Sequence, residues 1–346
     1  MATIKDVARE AGVTSATVSY VLNNSGRVSE ATRRRVLDVA RRLNYRPSIT
    51  AQNLRSGESR IIGYAWHVER PGEWTPIMQQ FLYNMSKSAE EAGYHVLTFI
   101  ADPDDPAAAY VTLAEMQRVD GFVLANTVVD DPRIRQLLDL GIPFVSFGRA
   151  NDAWDFSYVD VDGTDGMRQV VRHLAEQGHE RIAFVRWPPL SLAGNHRYQG
   201  YCDAMAELGL PIDERWLIEA ENTPADGRIA AQKLMAQPPD SRPTAIACVS
   251  DVVAIGVMHA LREMGLAIGR EVAVTGFDNI PAAEHFTPAL TSVHQPLDTI
   301  GHQLMTMLLD ILQGSATETR QVLIRPHLVV RASSVRVSGE DGHWPG

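Results

Sequence analysis

The run Ile4-Lys5-Asp6-Val7-Ala8-Arg9-Glu10-Ala11-Gly12-Val13-Thr14-Ser15-Ala16-Thr17-Val18-Ser19-Tyr20-Val21-Leu22-Asn23 decides how the N-terminal part of the chain is read. Ile4, Val7, Ala8 and Ala11 fall at the i, i+3, i+4, i+7 spacing of one helix face, and Val18, Val21 and Leu22 repeat that spacing after Gly12. Two short helices joined by a tight turn follow. Gly12 can take the left-handed conformation that ends the first, and Thr14 or Ser15 can cap the second by accepting hydrogen bonds from its free N–H groups. The pair reads as a helix-turn-helix, whose second helix enters the DNA major groove.

A helical hairpin that serves only as a packing unit would show the same spacing, and charge separates the two readings. Residues 1 to 60 carry eleven Lys+Arg against five Asp+Glu, a net of +6, whereas the whole chain is −10 and residues 61 to 346 therefore hold −16. A basic end on an acidic body is the footprint of a nucleic-acid-binding module. A third helix is expected after Ser29, with Glu30 at its start, Val36, Ala40 and Leu43 on one face and Pro47 beyond its end. Its outer face carries Arg33, Arg34, Arg35, Arg41 and Arg42, which on a solvated helix often mean solubility alone but beside a helix-turn-helix suit phosphates. Ser48 to Ser56 can form about two helical turns, below the roughly 12–15 residues at which an isolated helix becomes marginal in water. Such a helix needs a partner.

The opening Met1-Ala2-Thr3-Ile4-Lys5-Asp6-Val7-Ala8, the run Thr17-Val18-Ser19, Asn44-Tyr45-Arg46-Pro47 and Ala51-Gln52-Asn53-Leu54-Arg55 resemble the LacI/GalR family of bacterial transcription regulators, and the resemblance covers nearly the whole chain. It implies a small all-α helix-turn-helix headpiece over 1–47, a hinge helix and linker over 48–60, and an α/β body over 61–340 with two lobes like periplasmic binding proteins. The N-lobe would take about 61–160 plus 293–324 and the C-lobe about 163–291 plus 325–337, with 338–346 a mobile tail. It further implies a homodimeric repressor on near-palindromic operator DNA. Thr3, Ser15, Ala16, Thr17, Ser19, Tyr20, Asn23, Arg27, Leu54 and Arg55 would contact that DNA, with Ser15, Ala16 and Tyr20 facing bases. In the family the hinge helix folds when two subunits pair it over the minor groove, and Leu54 matches the leucine that wedges into the central base step.

Composition agrees with this organisation. With 346 residues, 45% of them hydrophobic, the chain can bury sizeable cores in two or three domains. No apolar run of about 18 residues is present to span a membrane, and Lys5, Asp6, Arg9 and Glu10 interrupt any signal-peptide core, so a cytoplasmic location is expected. Cys202 and Cys248 read as small core residues.

From residue 61 short apolar strands alternate with helices in two series, which predicts two parallel, doubly wound sheets. Strands are expected over 61–66, 94–100, 121–125 and 143–147, then over 181–186, 216–220, 244–249 and 271–275, with helices that include 166–177 and 198–208. After Thr291-Ser292-Val293 come a helix over 297–312 and strands over 321–324 and 327–330. Ligands of such sheets bind beyond the carboxyl ends of the strands. Those positions hold Trp74, Ser146, Phe147, Trp187, Arg197, Asn222, Asp251, Asp278 and Gln295. Flat aromatics among carboxylates, an arginine and amides suit a sugar, whose C–H face lies on an indole while paired hydroxyls bond to Asp and Arg. Taken singly, Asp251 could cap a helix, Trp187 could pack at the surface and Phe147 could be core. The family places effector contacts at the positions matched by Trp74, Arg197, Asp251 and Asp278. Ser191 and Ala193 stand where purine-responsive relatives carry basic and hydroxyl groups, and Ser146 stands where many sugar-responsive relatives have aspartate.

These residues favour a hexose or glucose-containing disaccharide as effector over a pentose or a purine. The eleven histidines include no His-x-x-x-His set, the cysteines no Cys-x-x-Cys, and Gly163-Thr164-Asp165-Gly166 reads as a helix start, so no enzyme, cofactor or metal is expected. A soluble sugar-binding protein without DNA function would share the body and lack the basic headpiece. Replacing Leu54 by alanine is expected to weaken specific operator binding by a few kcal/mol, the scale of an unstacked base step, with dimerisation and sugar affinity intact. Gel-shift and bending assays check it, and unchanged bending would place Leu54 in a packing role.

Overall fold

The computed structural model describes residues 2–22, 26, 28–45, 58–66, 75–151 and 153–335. The hinge helix expected over 48–56, with Leu54 and Arg55, lies outside the described residues, as do Asn23, Arg27, Trp74 and the tail. The chain divides into two compact units, Met1–Ser59 and Arg60–Gly346.

In the first unit α1 spans Ile4–Ala11, α2 Ser15–Leu22 and α3 Glu30–Arg42. Thr3 and Asp6 form a capping box at the start of α1: the Thr3 hydroxyl accepts the Asp6 N–H, and the Asp6 carboxylate accepts the Thr3 N–H at 2.9 Å. Gly12, at φ 64°, closes the helix with its N–H on the Ala8 and Arg9 carbonyls. Of the two caps expected for α2, Thr14 supplies the bond, accepting the Thr17 N–H at 3.2 Å. Ser29 caps α3 as expected, through the Thr32 N–H at 3.3 Å. Val7, Ala8, Ala11, Val18, Val21, Val36, Val39 and Ala40 meet in one core, so the helix spacing read from the sequence is the packing of the headpiece.

The second unit contains two six-stranded sheets. The first is built from β1 (Ile61–Ala65), β2 (His95–Phe99), β3 (Gly121–Leu124), β4 (Phe144–Phe147), β5 (Tyr158–Val161) and β11 (Gln321–Ile324), in the order β11-β5-β4-β3-β1-β2, all parallel. The second takes β6 (Ile182–Arg186), β7 (Leu217–Glu219), β8 (Ala245–Cys248), β9 (Ala273–Asp278), β10 (Thr291–His294) and β12 (His327–Val329), in the order β12-β10-β9-β8-β6-β7. β12 is antiparallel to β10, and the other pairs of that sheet are parallel. Each sheet reverses its strand order once, between β1 and β3 and between β6 and β8, which leaves a crevice at the carboxyl ends of those strands. The chain passes between the sheets three times, after β5, after β10 and after β11.

Helices cover both faces. In the first lobe they are α4 (Pro76–Glu91), α5 (Ala108–Glu115), α6 (Pro132–Leu140) and α11 (Leu297–Leu312). Ile62, Val123 and Val145 pack with Phe81, Met85 and Leu304 of α4 and α11. Their strand neighbours Phe122, Leu124 and Phe144 point the other way, to Tyr110, Ile134 and Leu137 of α5 and α6. In the second lobe α7 (Gly163–Glu176), α8 (Leu192–Glu207), α9 (Pro224–Met235) and α10 (Asp251–Glu263) pair as α7 with α8 and α9 with α10.

Several elements differ from the sequence expectation. β5 was not expected, because Asp160 interrupts its apolar pattern. α8 starts at Leu192 and not Tyr198, since the Ser191 hydroxyl accepts the Gly194 N–H at 3.1 Å and extends the helix through a polar first turn. α7 starts at Gly163 and not Gly166, capped by Asp162 on the Asp165 N–H at 2.9 Å. β9 begins two residues later than expected and runs on to Asp278, so that residue stands at a strand end.

The α9–α10 pair touches backbone to backbone. A Cβ on Gly227 would lie 2.2 Å from the Val253 carbonyl oxygen, and one on Gly256 would lie 1.9 Å from that of Pro224. Neither carbonyl can yield without moving its helix. Gly256→Ala is therefore expected to cost at least about 2 kcal/mol, the upper part of the overpacking range, measured as a lower urea midpoint. Undiminished stability would mean that the helices separate freely.

Candidate functional site

Two places concentrate the residues singled out above. On the headpiece, Ala16 and Tyr20 of α2 are exposed, Tyr20 at 51%, while Ser15, Thr17 and Ser19 are half-buried beside them. Thr3 and Thr17 are also engaged in capping contacts, Thr17 with the Thr14 hydroxyl at 2.9 Å. On α3, Arg34 pairs with Glu30 at 3.3 Å, Arg41 with Asp38 at 3.6 Å and Arg42 with Glu10 of α1 at 2.9 Å. Such exposed pairs are worth little and part readily for a phosphate.

The second place lies at the carboxyl ends of β6, β8 and β9. Arg197, one turn into α8, is 5% exposed, and its Nη1 donates to the Val249 carbonyl at 2.6 Å. Its guanidinium carbon lies 3.7 Å from the centre of the Phe277 ring and 5.0 Å from that of Trp187. The second nitrogen, Nη2, stands 3.6 Å from Asp278 Oδ1, within ion-pair range but too far for a hydrogen bond of normal length. Gln295, where the chain leaves β10, donates to the same Asp278 oxygen at 2.7 Å. Trp187, Arg197, Asp278 and Gln295 therefore form one cluster, and the buried Trp187 Nε1 has no hydrogen-bond partner. Burial, only partly opposed by Arg197 and Gln295, pushes the Asp278 carboxyl up to about 6.

Asp251 sits next to this cluster with a different task. Its Oδ1 accepts the Ser292 hydroxyl at 2.5 Å and its Oδ2 the Ile280 N–H at 2.8 Å. It lies so close over Gly276 that a Cβ there would be 2.1 Å from Oδ1. Burial and the charge of Asp278 push its pKa well up, against the two hydrogen bonds. The turn that it holds is strained: Asp278 and Asn279 have φ of 113° and 48°. The Ser292 hydroxyl also accepts the Asn279 N–H at 2.9 Å. Asp251 and Ser292 thus fix the backbone that presents Asp278.

The remaining expected residues surround the cluster. Asn222 accepts the Ser250 hydroxyl at 2.6 Å, and Ser250 caps α10 through the Val253 N–H at 3.3 Å. Ser146 is fully buried and donates to the Gly148 carbonyl at 2.8 Å, and Phe147 packs on Phe81 with ring centres 4.9 Å apart. Both are first-lobe residues at the end of β4 and have no direct bond to the second-lobe cluster among the contacts described. Sequence reasoning missed Asp160, His196 and Ser292. Arg149 donates to Asp160 at 2.7 Å and to His196 at 2.9 Å. The acid in β5 that hid the strand was the signal available for Asp160.

The Asp278 environment has a consequence for stability. Between the ordinary 3.8 and the folded value of about 6 the folded protein keeps a proton that the unfolded chain has released, so stability falls as pH rises through that window and stays lowered above it. Asp278→Asn, which mimics the protonated form, is expected to raise stability at pH 7.5 by about 1–3 kcal/mol, an advantage that fades toward pH 4. Urea titrations across that range measure it. No gain at pH 7.5 would show that Arg197 offsets the buried charge in full.

Residues 3–48 match the family model of bacterial regulatory proteins of the lacI family, and residues 171–334 match the periplasmic binding protein-like domain. The HTH-type transcriptional repressor PurR of Escherichia coli O139:H28 is 32% identical over 336 residues, 96% of this chain and 97% of the relative. A transcriptional regulator CelR–cellobiose complex is 30% identical, with a TM-score of 0.74 over 96% of this chain and 100% of that one. The lac repressor dimer bound to operator and the anti-inducer ONPF is 26% identical, with a TM-score of 0.85 over 96% and 99%. With both lengths matched almost throughout, the chain belongs to the LacI family of bacterial regulatory proteins and is a DNA-binding transcription regulator, not an enzyme.

Proposed function

We propose that this regulator is a homodimeric repressor whose affinity for a near-palindromic operator is changed by a small sugar, a hexose or glucose-containing disaccharide, held at Trp187, Arg197, Asp278 and Gln295. The observation that carries the reading is the spacing of Arg197 and Asp278. The two charges are buried and 3.6 Å apart, beside an indole whose N–H has no partner. Vicinal hydroxyls match that set, one donating to the carboxylate and one accepting from the guanidinium, while the indole N–H donates to an oxygen and its ring covers a C–H face. Asp251, Ser292, Asn222 and Ser250 act behind them by holding the loops, and Ser146 and Phe147 lie at the end of β4 in the first lobe. The complex of CelR with cellobiose supports a sugar.

The similarity to PurR favours a purine as the second reading. Against it, the Ser191 hydroxyl is occupied as the cap of α8, and Ala193 has no polar side-chain atom to meet a base edge. Dimerisation draws support from the first lobe. Tyr83 of α4 and Ile100, just beyond the edge strand β2, are 69% and 81% exposed, the two largest exposures among the large apolar side chains described.

Operator binding through Ser15, Ala16 and Tyr20 at bases and the headpiece arginines at phosphates should fall steeply with salt, and a fragment lacking residues 1–56 should not bind DNA. Calorimetry with glucose, cellobiose, maltose, ribose and hypoxanthine separates the effectors. Asp278→Ala or Arg197→Ala is expected to cost roughly 2–5 kcal/mol of effector affinity, because each leaves its partner unpaired in a desolvated site, and that is enough to abolish a micromolar response. Sugar and operator should change each other's affinity by the same factor, each weakening the other if the repressor is inducible. Tight binding of hypoxanthine alone would replace the sugar reading with the purine one.

A further inference from the structure

The two lobes are joined by side chains as well as by the three chain crossings. Arg149, just beyond β4 in the first lobe, is held by Asp160 of β5 through Nε at 2.7 Å and reaches His196 of α8 in the second lobe through Nη2 at 2.9 Å. An arginine can only donate, so His196 Nδ1 must be the unprotonated acceptor. On the first-lobe side the Thr127 hydroxyl donates to the Arg149 carbonyl at 2.7 Å and the Asp130 N–H to the Ala150 carbonyl at 3.1 Å, which ties the loops after β3 and β4 into one piece. That piece makes a second bond to the other lobe: the Val129 N–H donates to the Leu190 carbonyl at 3.1 Å, immediately before α8. On the second-lobe side the His196 carbonyl accepts the Thr164 hydroxyl at 3.1 Å, and the next residue is Arg197. Consecutive helix residues point about 100° apart. The first turns of α8 thus direct one side chain to the first lobe and its neighbour to Asp278.

We propose that Arg149 and His196 form a latch that holds the lobes together across the cleft without any ligand and sets how far the cleft rests closed. The latch would tune the response of this regulator, since an effector shifts the lobes only against the free energy already holding them. The regulatory meaning rests on the cleft being the effector site. The contact itself can be tested with no effector present.

The Val129 amide reports on the latch, because its hydrogen-bond partner, the Leu190 carbonyl, lies in the opposite lobe and is neither Arg149 nor His196. Amide hydrogen exchange on the full-length protein, without sugar or DNA, compares His196→Ala, His196→Asn, Arg149→Met and the double variant Arg149→Met/His196→Ala. Each single removal should speed Val129 exchange by roughly tenfold or more, the scale of one charge-assisted hydrogen bond, with the core of α10 unchanged. The double should be no faster than either single, and His196→Asn, which keeps an acceptor, should restore most of the protection. Unchanged Val129 exchange in both singles, or a double equal to the product of the singles, would overturn the latch. A failure of every sugar to bind in calorimetry would overturn the effector reading and leave this result standing.

Discussion

Arg197, Asp278 and Asp251 are buried together at the carboxyl ends of three strands, and the surrounding structure answers to that constraint. Removing these charges from water is unfavourable, and the direct attraction between Arg197 and Asp278 at 3.6 Å does not fully compensate: burial is the largest influence on all three, lowering the arginine and raising both acids. The neighbours supply what remains. Val249 offers a carbonyl to the guanidinium, Phe277 and Trp187 lie against its faces, and Gln295, Ser292 and the Ile280 amide donate to the carboxylates. A site of this kind is set before its ligand arrives, so the reorganisation cost is met during folding.

The same constraint explains a sequence of small residues and turns that otherwise look arbitrary. Gly276 is a glycine because Asp251 occupies the space of its Cβ, and Asp251 stands there because the turn at Asp278 and Asn279 needs an acceptor for the Ile280 amide. The left-handed backbone at two successive non-glycine residues is strain stored at the point where the Asp278 side chain meets Arg197 and Gln295. Behind it, α10, which begins at Asp251, crosses α9 with backbone against backbone at Gly227 and Gly256.

Membership of the LacI family accounts for the pairing of a helix-turn-helix with this body, and for the strand order of each sheet, which places a ligand crevice in both lobes. At the carboxyl ends of the second-lobe strands the side chains combine one guanidinium, one carboxylate whose pKa is pushed up to about 6 and an unpartnered indole N–H, a set in which donors and acceptors alternate over a few ångströms.

The headpiece was almost fully legible in the sequence, since its helices are short, the core positions within each helix are four residues or fewer apart, and caps such as Thr3, Gly12 and Ser29 act within one turn. The alternation of strands and helices was legible for the same reason, as were the positions of Asp278 and Gln295 just after predicted strands, whereas Arg197, expected in a loop, stands in the helix that starts at Leu192. Other features depended on partners far along the chain. β5 is a strand because β4 and β11 flank it, although Asp160 breaks its apolar pattern. Asp251 reads locally as the first residue of a helix, and only Ser292 and Ile280, 41 and 29 residues away, show it holding a turn. Arg149 and His196, 47 residues apart, meet because two sheets face each other. Local spacing determines which residues can form an element, and the fold alone decides which distant polar groups share one volume from which water is excluded.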